Sequence, residues 1–383
     1  MSLDVFRGLT VAAMILVTDP GTYAAVYPQL RHAVWQGATA ADMIFPSFLV
    51  MVGAAMTLSF RARLMRGADR GHLLFHALRR GTVMLVLGLV VNGFPNYDLH
   101  NLRLPGILQR IAVCYVLGAC MYLAASEVGV GRERRGRRSA VLGAATVVLL
   151  GGYWALLKWY PVPGFGAGRL DPLGNVAAYY DRAIFGVRHM FQWGVKTPGY
   201  GITFDPEGVL STTTALATLL MGVLAGEWLG TEGARERKAV GLLVAGGCLV
   251  LAGYGLSPWL PLNKSLLTST FAMFSGGVAF LFFSLFYWVL DVWMWRMWAE
   301  PALVFGTNAI LAFALSQVVT TVLDLIHVTG DGGRMNLHAW LNRYWFATWL
   351  PARPASLGYA VTIVGVNLAM LYPLYRRRIF VRV

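Results

Sequence analysis

Residues Phe271 to Leu290 read FAMFSGGVAFLFFSLFYWVL, twenty positions without one charged side chain. A helix needs about 20 mostly apolar residues to cross the hydrocarbon core of a bilayer. In lipid the backbone must satisfy its own hydrogen bonds, which selects a helix for such a run. Runs of this kind recur along the chain from Leu9 to Leu374. Of the 383 residues, 57% are hydrophobic and 13% charged, whereas a soluble domain carries about a quarter charged residues. The runs predict spans near 5–26, 42–60, 80–95, 106–125, 139–157, 209–228, 239–256, 265–290, 301–323 and 355–375. The expected fold class is therefore all-α, a polytopic membrane helix bundle of about ten transmembrane helices. Residues 1–383 read as one domain, with no internal repeat and no second soluble unit.

The net charge of +14 would point to nucleic acid in a soluble protein. Here it reads as loop bias, since cytoplasmic loops collect Lys and Arg. With both termini on one side, 20 of the 32 Lys and Arg fall on that side. The positive-inside rule then puts both termini in the cytoplasm. Leu9–Val17 runs into Thr18-Asp19-Pro20-Gly21 rather than a small-residue cleavage site, so it is expected to be a retained first span. Cys114, Cys120 and Cys248 lie inside apolar runs and form neither a metal motif nor a disulfide framework. An outer loop at about 158–208 carries Tyr179, Tyr180, Phe191 and Trp193, which argue for an ordered loop. Asn336–Trp349 reads as a second outer feature, a helix lying in the interface.

Ionisable groups in or beside spans are costly and are site candidates by default. Asp4 and Arg7, three apart, can pair locally. Thr18-Asp19-Pro20-Gly21 is turn chemistry and reads either as a helix stop or as a broken helix lining a cavity. His32 can act as general base or nucleophile, or be a solvated loop histidine. Thr39 and Asp42 fit a capping pattern, and a capping carboxylate can also orient His32. Arg110, inside an apolar run, needs an anionic or carbonyl partner. Asp205 and Glu207 suit a helix N-terminus through the dipole alone, while Lys264, after Asn263, gains nothing from it. Asn308, Ser316 and Gln317 fit interhelical hydrogen bonding. The predicted topology collects His32, Asp42, Arg110, Asp205, Glu207, Asn263 and Lys264 at the outer ends of spans. No Walker motif, Rossmann glycine pattern or clustered metal-ligand motif is present, and neither metal nor nucleic acid is expected.

These residues lie in blocks that share an order with one family: Ser2-Leu3-Asp4-Val5-Phe6-Arg7-Gly8, His32-Ala33-Val34-Trp35-Gln36-Gly37, Asp42-Met43-Ile44-Phe45-Pro46, and Leu104-Pro105-Gly106-Ile107-Leu108-Gln109-Arg110. Asp205-Pro206-Glu207-Gly208, Pro261-Leu262-Asn263-Lys264, Gly306-Thr307-Asn308 and Leu374–Phe380 complete the set. The chain resembles the heparan-alpha-glucosaminide N-acetyltransferase family and its bacterial relatives over nearly its whole length. The resemblance implies acetyl transfer from cytosolic acetyl-CoA, the donor substrate, to a terminal glucosamine amine across the membrane. It implies that His32 is the critical histidine, with Asp42 beside it. Many relatives carry Asn where this chain has Thr18; if that Asn polarises the acyl carbonyl, the role here passes to Thr18 or Asp19, or is lost. Arg110, Asp205, Glu207, Asn263, Lys264, Asn308, Trp35 and Arg7 are the expected substrate and cofactor contacts. A multi-pass protein of a bacterial inner membrane is implied, and a homodimer is compatible with it. The competing readings are a transporter of N-acetylglucosamine-related sugar, an O-acetyltransferase of an envelope polysaccharide, and an inactive scaffold.

Overall fold

The computed structural model describes residues 1–126, 132–191, 196–197, 201–202, 204–330 and 333–380. Thirteen α-helices follow one another among them. They are α1 (Ser2–Thr18), α2 (Ile44–Met65), α3 (Arg70–Gly93), α4 (Ile107–Ser126), α5 (Arg132–Trp159), α6 (Val176–Phe185) and α7 (Thr212–Leu229). Then come α8 (Arg235–Gly255), α9 (Ser269–Tyr287), α10 (Glu300–Thr307), α11 (Ala309–Leu325), α12 (Leu337–Leu341) and α13 (Ala352–Arg376). Two antiparallel hairpins add β1 (Lys196–Thr197) with β2 (Gly201–Ile202), and β3 (His327–Gly330) with β4 (Gly333–Asn336). The protein is an all-α polytopic bundle, as the apolar runs predict.

Eight of the described helices are long and apolar enough to span a membrane, and the pair α10–α11 makes a ninth if counted as one broken span. The tenth expected span, 5–26, is corrected to α1, which stops at Thr18. Pro20 has no N–H to extend the helix, and the chain passes instead into short turns at Tyr23–Ala25 and Pro28–Leu30. The Asp-Pro-Gly stretch is thus a helix stop and not a break within a span. The break lies elsewhere. Span nine, expected as continuous over 301–323, bends by 88° between Thr307 and Ala309. The span expected at 80–95 starts ten residues earlier, at Arg70, where the Asp69 carboxylate caps it by accepting from the His72 N–H at 3.0 Å.

α2, α4 and α7 are largely buried, while α3, α5, α8 and α13 turn much of their surface outward. Small residues bring helices into backbone contact, as expected where lipid offers no hydrophobic drive for association. A Cβ on Gly53 or Gly222 would run into a backbone carbonyl across the α2–α7 crossing. Gly8 and Gly306 do the same for α1 and α10.

The two ends of the bundle differ. At one end Glu227 accepts from Arg138 at 2.7 Å and from the Tyr122 hydroxyl at 2.9 Å. There Arg61 and Arg135 donate to the Gly230 carbonyl and Arg70 to that of Ser126. At the opposite end the described residues of the 158–208 stretch include α6 and pack on one another. Asn175 caps α6 through the Ala178 N–H (2.8 Å), and the Tyr160 and Tyr180 hydroxyls meet at 2.8 Å. Trp193 lies outside the described residues. Within Asn336–Trp349, α12 is followed by a π-turn over Asn342–Phe346.

Candidate active site

His32 sits in the connection between α1 and α2, with its Nδ1 2.7 Å from Asp42 Oδ1. Asp42 is fully buried at the entry to α2, while the His32 side chain is 45% exposed. The second oxygen, Oδ2, accepts from the Thr39 N–H (2.9 Å), the Thr39 hydroxyl (3.0 Å) and the Ala33 N–H (3.2 Å). The reach from Asp42 back to the Thr39 amide is half of a capping box. The same carboxylate therefore caps a turn and holds the histidine, so the two readings of Asp42 are both realised.

Asp42 is an acceptor when ionised, which places the neutral imidazole proton on Nδ1. Nε2 is left with its lone pair, on the exposed side of the ring. A buried carboxylate that fixes tautomer and ring orientation is how histidine bases and nucleophiles are prepared.

The loop is anchored on both flanks. Trp35 donates from Nε1 to the Leu170 carbonyl at 2.9 Å and lies edge-on to Phe204 at 5.0 Å. Gly37 donates to the Leu262 carbonyl at 2.7 Å and bridges to Asn263. Asn263 uses its side-chain oxygen within its own turn, accepting from the Leu266 N–H at 2.8 Å. It positions the histidine loop through backbone pairing.

The other carboxylates gather beside this loop. Asp205 accepts from Arg103 Nε at 3.0 Å and Nη2 at 2.7 Å, and Glu207 pairs with the same guanidinium. Burial alone would raise the Glu207 carboxyl, but Arg103, Lys264 and Arg110 hold it down to about 2. Their charges also stand close enough to place Lys264 in this cluster. Arg110 donates from Nη2 to the Pro206 (2.7 Å) and Gly208 (3.1 Å) carbonyls and to the Ser211 hydroxyl. Its partners are carbonyls, one of the two kinds its charge requires. Asp181, on α6, is buried beside this turn and accepts from the Val209 N–H at 2.8 Å. Burial pushes its carboxyl up to about 7, with Asp205 adding to the shift.

Four expected residues lie apart from His32. The Thr18 hydroxyl donates to the Met14 carbonyl of its own helix at 2.8 Å, so it is engaged within α1. Asp19 accepts from Thr320 at 2.7 Å, beside α11. A polarising role for either at the His32 site has no contact to support it. Arg7 pairs with Asp4 at 2.8 Å, as expected, and donates from Nε to the Gly306 carbonyl at 2.8 Å. Asn308, at the break between α10 and α11, donates to the Ile379 carbonyl at 3.2 Å. Arg7 and Asn308 thus secure the broken span, and neither faces the histidine. Arg103 and Asp181 were missed from sequence: both read as ordinary loop charges, and their partners lie far along the chain.

Residues 1–132, which carry His32, Asp42, Arg103 and Arg110, match the family model described as heparan-alpha-glucosaminide N-acetyltransferase, catalytic. The human heparan-alpha-glucosaminide N-acetyltransferase is 29% identical over 353 residues, which cover 83% of this chain and 52% of that protein. The mouse protein of the same name is 28% identical over 354 residues, covering 83% and 53%. The chain spans about half the length of these curated relatives. By these matches the chain is similar to heparan-alpha-glucosaminide N-acetyltransferases, its first 132 residues to their catalytic family model.

Proposed function

We propose that this protein is a membrane-embedded acetyltransferase. It takes acetyl groups from acetyl-CoA at its arginine-rich end and delivers them to the amine of a glucosamine-like sugar at the His32 end. In a bacterial inner membrane these ends are the cytoplasmic and periplasmic faces. The observation that carries the reading is the 2.7 Å contact between His32 Nδ1 and buried Asp42, with the rest of the ring half exposed.

His32 acts as the general base. Its Nε2 removes a proton from the acceptor amine as the amine nitrogen bonds to the thioester carbonyl carbon. The carbon–sulfur bond breaks, coenzyme A leaves as the thiolate, and the imidazolium returns its proton to that sulfur. Asp42 stabilises the imidazolium while it lasts. The developing oxyanion needs a donor that is not already engaged. Arg110 Nη2 is tied into the Asp205–Gly208 turn, and the role is assigned to Lys264, the charged donor that follows Asn263 beside the histidine loop. The arginines around Glu227 attract the polyanionic nucleotide part of the donor to the other end, and its pantetheine arm threads the bundle to bring the thioester to His32.

The test is reconstitution with acetyl-CoA inside vesicles and amino sugar outside, following N-acetylated product. His32→Ala is expected to lower turnover by a factor of about 10² to 10⁴, the usual worth of a general base. Unchanged turnover would sink this mechanism. Acetyl on His32 after exposure to acetyl-CoA alone would replace the base with an acyl carrier using the same lone pair. A transporter reading would draw on the α10–α11 break, since transporters bind substrate at broken helices. Here Arg7 satisfies the Gly306 carbonyl and Asn308 reaches the Ile379 carbonyl, which favours a packed break over a substrate path.

A further inference from the structure

α4 and α5 meet at the arginine-rich end, where Arg138 lies 4.9 Å over the Tyr122 ring and donates to Ser126. Toward the His32 end a cleft of about 550 Å³ runs along α4. Leu85 of α3, Val113 and Leu117 of α4, Leu149 of α5 and Leu216 of α7 wall it, and Phe185 at the end of α6 covers its outer part. The volume is in the range of ligand sites, about 300–1,000 Å³. From Gln109 to Leu117 the wall descends eight residues, about 12 Å at 1.5 Å per residue. That is close to one leaflet of a hydrocarbon core about 30 Å thick.

The surroundings say what fills it. Val86, Val147 and Val148, neighbours of the lining residues on α3 and α5, are exposed apolar side chains on spanning helices. In a bilayer they face hydrocarbon, so the cleft opens sideways into a leaflet. Its outer end is polar: Gln109, Arg110 and Glu207 line it. Gln109 Nε2 and Arg110 Nε are buried donors without a hydrogen-bond partner, on side chains more than nine-tenths buried. Orphaned donors of this kind are rare and costly, and they suit an oxygen-bearing head group. The same end adjoins the Asp205–Gly208 turn. Phe204, just before that turn, packs on Trp35, three residues from His32.

We infer that the acceptor is lipid-anchored: an amino sugar on a single hydrocarbon chain, the chain in the α4–α5 cleft and the sugar at the Gln109–Arg110–Glu207 end. The acceptor half of this inference rests on the acetyltransferase reading, whereas the chain-binding half stands without it. A bilayer-borne substrate would diffuse to the cleft mouth in the plane of the leaflet and present its amine at the membrane surface, beside the histidine loop.

The full chain in proteoliposomes is given a glucosaminide bearing a medium-length alkyl chain with a photoactivatable diazirine. Cross-links are expected to concentrate on α4 and α5 and to fall at least about fivefold in Val113→Trp or Leu117→Trp, either of which fills the cleft. Leu251→Trp, on the outward face of α8, is the control and should leave labelling unchanged. In the acetylation assay the alkyl glucosaminide should be used more efficiently than free glucosamine. Val113→Trp should cut that preference about tenfold, a loss of 1.4 kcal/mol. Labelling spread evenly over outward-facing helices, insensitive to both tryptophans, would mean annular lipid only and would overturn the cleft. Equal use of both acceptors would overturn the lipid-anchored substrate. If neither acceptor is acetylated, the acetyltransferase reading fails, and the cross-linking still decides the cleft.

Discussion

Asp42 divides its two oxygens between a histidine and a turn, and that division sets the residue-scale predictions. Asp42→Asn keeps the shape but can present an amide N–H to Nδ1, which favours the tautomer with its proton on Nε2. Turnover is expected to fall about 10- to 100-fold, the usual cost of losing an orienting partner, with donor KM little changed, measured in the vesicle assay. Asp181 makes a separate prediction. Its folded-state value of about 7 lies above the ordinary 3.8, so the folded protein holds a proton that the unfolded chain releases. Its contribution to stability is complete below pH 3.8 and is lost as pH rises through 7. Asp181→Asn should flatten thermal stability across that window, and an unaltered pH slope would remove Asp181 as its cause. His32 and Asp42 were both visible in the sequence, one as a candidate base and the other as a cap. Their bond was foreseeable because ten residues of turn separate them. Arg103 was not, because nothing local marks it: its meaning comes from Asp205 and Glu207, about a hundred positions on.

At the scale of helices, hydropathy made the spans legible because bilayer thickness fixes their length. It could not show the break at Asn308, since both halves are apolar and the bend is held by Arg7 and by the tail near Ile379. Nor could it show that α1 ends at Thr18, where turn residues and an apolar flank give opposite signals. The crossings supply a matched test. Gly222→Ala places a methyl group against the Val50 carbonyl on α2 and is expected to cost about 1–3 kcal/mol. Gly247→Ala, on α8 with no atom within 4 Å of the new Cβ, should be neutral or stabilising by up to about 1 kcal/mol through helix propensity. Thermal unfolding in detergent separates the two, and equal effects would refute the crossing argument.

For the whole molecule, two unlike ends are the main result. One joins loops through arginines around Glu227, the other sets the His32 loop beside the Asp205–Gly208 turn and the Asn263 turn. In a cysteine-free background, a cysteine at Leu99 should label with an impermeant maleimide from outside, and one at Arg377 only after the membrane is opened. The reverse pattern would invert the proposed path of the acetyl group. The clasp between Arg7 and Gly306 also bears on how the protein is made. The two residues are 299 positions apart. At 5–20 residues per second, α1 waits roughly 15–60 s in the membrane before α10 is synthesised. During that interval the glycine-notched face of α1 stands without its partner helix, and Arg7 has only Asp4 of its own helix to pair with. The clasp of α1 on α10 therefore closes late, so α1 is where a membrane chaperone would be needed during synthesis.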